Sequence, residues 1–154
     1  MKRLSIGSAL LVVSLVAGLA AQAKPSFTGS WKLASDAAGD AFVSPAIAVA
    51  QDEKILTVTA TGQMGELKTT YNLDGTEGKS PLDFNGNTLD RTSKLAWDGD
   101  KLVLTTSSDF GGQSFEVKQV WSLAADGSLL IESTRPDFQG GGGPVTSKAT
   151  YKKS

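Results

Sequence analysis

The side chains that could do chemistry in this chain are carboxylates, lysines, tyrosines and arginines, because it contains no histidine and no cysteine. Their absence excludes Ser-His-Asp and Cys-His catalysis, histidine acid–base chemistry and the usual zinc sites. Paired-carboxylate hydrolysis would need two acidic side chains that face one cleft. The strand carboxylates Asp90, Glu116 and Glu132 fall instead on the charged faces of their segments. The sequence therefore predicts a protein that is not an enzyme and that carries no metal or other cofactor.

Three Asp-Phe pairs run directly into glycine turns. They are Asp83-Phe84-Asn85-Gly86, Asp109-Phe110-Gly111-Gly112 and Asp137-Phe138-Gln139-Gly140. The aspartates are 26 and 28 residues apart, which is the length of two strands and one tight turn, so the three loops should share one end of an antiparallel sheet. Turn chemistry accounts for the Asp and Gly residues. The three phenylalanines, Phe84, Phe110 and Phe138, would then plug the end of a barrel or ring an open mouth.

The segments between the turns alternate between apolar and polar residues, which is the pattern of half-buried β-strands. Strands are predicted near 27–34, 45–50, 54–61, 65–73, 88–97, 101–107, 114–123, 128–135 and 145–152. Residues 35–44 are predicted to form a loop or one short helical turn, and the glycine tract at 140–143 a loop.

An apolar face opposite a charged face on consecutive strands with short connections predicts an antiparallel meander. Eight or nine such strands without helices close most simply into an up-and-down β-barrel, since closure removes exposed edges. A two-sheet β-sandwich is the alternative architecture.

Two arginines, Arg91 and Arg135, fall on the predicted inward face, where no acidic side chain is available to pair with them. A buried, unpaired guanidinium costs several kcal/mol. Arg135 precedes a proline at a strand end and can be solvated, whereas Arg91 lies in mid-strand. We therefore hypothesise that the acidic head of an amphiphile, such as a fatty acid, sits near Arg91. The predicted ligand-binding residues are Tyr71, Arg91, Trp97, Phe115 and Trp121.

The first 23 residues have the pattern of a cleaved secretory signal peptide. Lys2 and Arg3 precede an apolar run, and Ala21-Gln22-Ala23 is a small-x-small cleavage motif. We predict cleavage after Ala23, a single domain over 24–154, and export to a bacterial periplasm or the extracellular space. An uncleaved membrane anchor is the alternative, although polar and glycine residues interrupt the apolar run.

Thirteen basic residues and all sixteen acidic residues of the chain would remain after cleavage. This mildly acidic balance predicts no nucleic-acid partner, and no membrane span is predicted in the mature part.

The opening of the first strand, Gly29-Ser30-Trp31, resembles the Gly-x-Trp start of lipocalin and other calycin barrels. That resemblance implies that Trp31 closes the base of the barrel and that a late-strand arginine, here Arg135, packs across its ring. The chain also resembles a set of small exported bacterial proteins that share a Gly-[Ser/Thr]-Trp-Lys-Leu opening and a Trp-Asp-Gly-Asp-Lys-Leu hairpin, here 97–102. This second resemblance implies no activity.

Three hypotheses follow for function. The first is a soluble, exported, non-catalytic barrel that binds a small hydrophobic or amphiphilic ligand with an acidic head. The second is a structural or interaction module of the cell envelope with a filled core, which uses its phenylalanine loops against a protein. The third is an enzyme of a type that the sequence does not identify.

Overall fold

In a computed structural model, the chain is an all-β protein described over residues 23–34, 43–62, 65–84 and 86–154. In these ranges the strands are β1 (Gly29–Leu33), β2 (Ala46–Gln51), β3 (Ile55–Gly62), β4 (Gly65–Asn72), β5 (Gly78–Lys79), β6 (Leu82–Phe84), β7 (Asn87–Asp98), β8 (Lys101–Phe110), β9 (Gln113–Leu123), β10 (Leu129–Arg135) and β11 (Val145–Lys153). No helix in this described part has the length and apolar composition to cross a membrane.

Each of the predicted strands corresponds to one long strand of the structure. The two short strands β5 and β6 were not predicted, because two and three residues are too few to show an alternation. Residues 1–22 of the predicted signal peptide and 35–42 of the predicted 35–44 loop fall outside the described residues.

All the strands belong to one antiparallel meander that curves into a nearly closed barrel. Its order is β4-β3-β2-β1-β11-β10-β9-β8-β7-β5, with β6 also paired to β7. The first and last strands pair, with Trp31 opposite Lys153 and Leu33 opposite Tyr151. The result is a nearly closed up-and-down barrel, which confirms the predicted lipocalin-like fold rather than the sandwich.

The ladder of backbone hydrogen bonds is interrupted between β4 and β5, and side chains hold this seam together. The amide of Thr70 on β4 donates to Ser80 Oγ, next to β5, at 3.4 Å, while the amide of Ser80 donates to the carbonyl of Arg91 at 2.9 Å and joins this segment to β7 on its other side. The backbones come so close that a Cβ at Gly78 would lie 3.2 Å from the carbonyl oxygen of Thr70. Glycine at position 78 therefore allows the two edges to meet.

The three Asp-Phe turns share one end of the barrel, here called the loop end, as their spacing predicted. Their carboxylates bind their own turns. Asp137 accepts hydrogen bonds from the amides of Gln139 at 2.9 Å and Gly141 at 3.0 Å. Asp83 and Asp109 accept hydrogen bonds from hydroxyl groups five residues later, at 2.8 and 3.0 Å.

The opposite end, here called the base, is closed by an aromatic cluster. Phe27 is fully buried, and its ring lies 6.3 Å from that of Trp97 and 6.0 Å from that of Trp121. Trp31 is 1% exposed, and its indole Nε1 donates to the carbonyl of Phe27 at 3.0 Å. The segment before β1 thus folds under the barrel and seals it.

Arg135 does not pack on Trp31, which corrects the expectation drawn from the resemblance. It pairs with Val145, while Trp31 pairs with Lys153, at the other end of β11. The two ends of this nine-residue strand are roughly 26 Å apart at the usual rise per residue. The cation over the Trp31 ring is Lys153, whose Nζ lies 5.4 Å from the ring centroid.

Candidate ligand-binding cavity

A cavity of about 310 Å³ lies inside the barrel, between the base cluster and the loop end. This volume is at the lower limit of small-molecule sites. If each non-hydrogen atom takes about as much space as a liquid water, it holds roughly ten such atoms. The apolar part of the wall consists of Val43, Ile47, Val58, Ala60, Leu67, Leu82, Leu89, Phe115, Val117, Ile131 and Ala149.

Arg91 lines this cavity from the middle of β7. Its Nη2 donates to Thr69 Oγ1 on β4 at 3.2 Å, across the seam. Its Nη1 is buried and has no hydrogen-bond partner among the described residues. Burial lowers the pKa of Arg91, and Tyr71 opposes this shift electrostatically. Since an arginine remains protonated in proteins, the described part of the barrel holds a charge with no carboxylate partner.

Tyr71 and Thr106 complete a polar cluster around Arg91. The Tyr71 hydroxyl and Thr106 Oγ1 are 3.2 Å apart and share a hydrogen bond. Burial raises the pKa of Tyr71, partly opposed by the Thr106 hydrogen bond and the charge of Arg91. The phenol is therefore neutral near physiological pH. Thr69, Tyr71, Arg91 and Thr106, here called the Arg91 cluster, can donate hydrogen bonds to an anion.

A second polar group lies on β9 and β10. Gln119 Nε2 donates to Ser133 Oγ at 3.2 Å, and Trp121 Nε1 donates to Gln119 Oε1 at 3.1 Å. Ser147, opposite Ser133 in the β10–β11 ladder, also lines the cavity. Gln119, Ser133 and Ser147 are here called the Gln119 cluster.

Aromatic rings lie between the cavity and the loop end. Phe115 lines the cavity, and its ring meets that of Phe138 edge-on, with centroids 5.3 Å apart. Phe138 is 51% exposed and Phe110 is 55% exposed. The backbone of Phe84 ends β6 at the same end, but its side chain lies outside the described residues.

Four of the five predicted ligand-binding residues, Tyr71, Arg91, Phe115 and Trp121, line the cavity together. The structure places the fifth, Trp97, in the base cluster, where Lys24 Nζ lies 5.2 Å from its ring centroid. Trp97 also borders a shallow groove beside the turn at Gly75. Alternation correctly assigned Trp97 to the inward face, but alternation does not indicate where along the barrel axis a residue lies.

Some of the lining was missed by reasoning from the sequence. Val43 and Leu82 lie in segments where no strand, or only a three-residue strand, forms. Thr69, Thr106, Gln119 and Ser133 were on the predicted inward faces, but nothing in the alternation showed that they would form two clusters.

No protein-family model matches the chain, and no curated protein matches it. Among solved structures, a mutant of the fluorescent protein UnaG is similar, with a TM-score of 0.51 and 19% sequence identity. The match covers 83% of this chain and 96% of that chain. A likeness at this identity shows a shared calycin-like barrel fold.

Proposed function

We propose that this calycin-fold barrel is an exported, soluble, non-catalytic protein that binds a small amphiphile through an acidic head at Arg91. The observation that carries the proposal is the buried Nη1 of Arg91, which has no partner among the described residues. A buried guanidinium nitrogen without a hydrogen-bond partner is unfavourable, and a bound anion would remove that cost. A bound carboxylate or similar head would accept hydrogen bonds from Arg91 and from the neighbouring hydroxyl groups.

The apolar lining supports the other half of the proposal. Aliphatic side chains and Phe115 form most of the wall, so the part of the ligand beyond its head is expected to be a hydrocarbon. The volume of about 310 Å³ favours a compact ligand over a long-chain lipid. A filled core, which the interaction-module hypothesis requires, would leave no such space.

Export is proposed from the sequence of the first 23 residues, with its basic start, apolar run and small-x-small motif. Amino-terminal sequencing of the protein from its native cell should then begin at Lys24. A protein that retains Met1 would overturn this part of the proposal and leave the ligand site untouched.

The binding proposal is tested by titrating the protein with decanoate and with decanol, which share a chain but differ in head charge. Calorimetry, together with the tryptophan fluorescence to which Trp121 in the cavity wall contributes, reports binding. Decanoate should bind to the unmodified protein at least about tenfold more tightly than decanol, because a charged hydrogen bond contributes about 1.5–3 kcal/mol. Arg91→Met should abolish this preference.

The matched control is Lys94→Met, which removes a positive charge from the exposed face of the same strand. Its affinity for decanoate should stay within about twofold of the unmodified protein, since an exposed charge contributes little. Equal loss in both variants would show attraction to net charge rather than a site at Arg91.

The exposed rings of Phe110 and Phe138 favour one other candidate, a partner surface at the loop end. If neither decanoate nor decanol binds, while Phe110→Ser with Phe138→Ser removes a protein captured from the native envelope fraction, the interaction module becomes the better account.

A further inference from the structure

The Gln119 cluster lies in the cavity wall with unused hydrogen-bonding capacity. A glutamine side chain has two N–H donors and two acceptor positions on its oxygen. One donor reaches Ser133 and one acceptor position receives Trp121 Nε1. The Ser133 hydroxyl accepts from Gln119 and keeps its own hydrogen. The cluster can therefore both donate to and accept from a polar group of a ligand.

The two polar clusters are separate positions in the cavity. The ladder aligns Arg91 with Ser108 and Ser108 with Phe115, near the loop end. It aligns Gln119 with Leu104, and Leu104 with Leu95, four residues nearer the base along β7 than Arg91. Gln119 and Ser133 also lie on strands two and three places away from β7 in the sheet. A ligand whose head is at Arg91 would bring its far end towards the Gln119 cluster.

We infer that the natural ligand is a compact acid with a second polar group, a hydroxyl or a carbonyl, at the end remote from the acid. This inference rests on the proposed function, because it takes the acid to be at Arg91. A plain hydrocarbon end would cover the amide of Gln119 and the hydroxyl of Ser133 without offering either a partner. An end with a hydroxyl replaces the water that these groups would otherwise bind.

The test compares decanoate with ω-hydroxydecanoate, which differ only in the remote hydroxyl. Calorimetry gives the affinity of each acid for the unmodified protein and for Ser133→Ala. The ratio of hydroxy-acid to plain-acid affinity should fall roughly fivefold in Ser133→Ala, the effect of one neutral hydrogen bond. Decanoate itself should bind both proteins to within about twofold.

Gln119→Met is the second variant, in case the loss of Ser133 disturbs the amide. It keeps the length of the side chain and should reduce the same ratio. Ser122→Ala is the matched control, because Ser122 neighbours Trp121 on β9 but pairs with the exposed Leu130. Its ratio should equal that of the unmodified protein.

The outcomes separate the two proposals. If both acids bind and the ratio is the same in every protein, the Gln119 cluster is only internal structure and this inference is wrong, while the proposed function stands. If neither acid binds to the unmodified protein, the proposed function fails and this inference fails with it.

Discussion

We expect Arg91 to lower the stability of the ligand-free barrel, an effect that can be measured separately from binding. Its guanidinium donates to Thr69 but leaves Nη1 buried without a partner among the described residues. Replacing a buried ion pair by apolar side chains is often neutral or stabilising by about 1–4 kcal/mol, and a buried charge without a counter-ion costs more than a paired one. We predict that Arg91→Met raises the free energy of unfolding of the ligand-free protein by about 1–3 kcal/mol. Urea denaturation measures the change.

Lys94→Met should change the same free energy by less than about 0.5 kcal/mol, as exposed substitutions usually do. A loss of stability in Arg91→Met, larger than that of this control, would mean that the arginine is a structural element and not a site held ready for an anion.

The chain has only two tyrosines, and burial raises the pKa of both, that of Tyr151 to about 12. The phenol of Tyr151 donates to the carbonyl of Ser44 at 2.8 Å. Because its pKa is higher in the folded state, the stability it contributes is present below pH of about 10. That stability is lost as the pH rises towards about 12.

We predict that the free energy of unfolding falls by about 2–3 kcal/mol over this alkaline range, because the pKa of Tyr151 is about 12 in the folded state and about 10 in the unfolded state. Tyr151→Phe should be less stable by about 1 kcal/mol at neutral pH, where it lacks the hydrogen bond. It should also lose less stability on alkaline titration. Urea denaturation at a series of pH values tests this prediction. Equal slopes of the free energy of unfolding against pH for the two proteins would contradict it.

At the scale of elements, the segment before β1 closes the base without being a strand. Phe27 contacts Trp97 and Trp121, its amide donates to Gln51 Oε1 at 3.0 Å, and its carbonyl accepts from Trp31. Lys24 Nζ adds a hydrogen bond to the carbonyl of Gly99 at 2.8 Å. Packing under the barrel, and not pairing within the sheet, holds this segment in place.

Phe27→Ala is predicted to reduce the free energy of unfolding by about 3–5 kcal/mol, the cost of removing a buried phenylalanine. Both backbone hydrogen bonds of residue 27 survive this change, so the loss reports packing alone. Phe110→Ala removes the same side chain from a 55% exposed position and should cost less than about 0.5 kcal/mol. Thermal and urea unfolding of the two variants make the comparison; similar losses would show that the base is not sealed by Phe27.

Strand positions could be predicted from the sequence because period-two alternation is a local signal. The short strands β5 and β6 could not be predicted, because they form only through their pairing with β7, which is a tertiary contact. The position of Trp97 along the barrel axis and the distance between Arg135 and Trp31 depend on strand register, which cannot be read from alternation. Lys153, and not Arg135, lies over the Trp31 ring because the last strand pairs with the first.

For the whole molecule, the base, the cavity and the loop end form one continuous arrangement. The aromatic base limits how deep a ligand can reach, and Arg91 supplies one charge in a mostly apolar wall. The phenylalanine loops lie at the loop end, where Phe138 touches Phe115. The sequence indicated the inward arginine, but the volume of the space around it follows from long-range packing that no local pattern encodes.

Native mass spectrometry of the protein purified from the cell that makes it tests the central claim most directly. The unmodified protein and Lys94→Met should each carry one equivalent of an acid of roughly ten non-hydrogen atoms, as the cavity volume allows. Arg91→Met should be empty, because among the described residues Arg91 is the one cation that lines the cavity. A ligand-free spectrum of the unmodified protein, or the same adduct on Arg91→Met, would contradict the account.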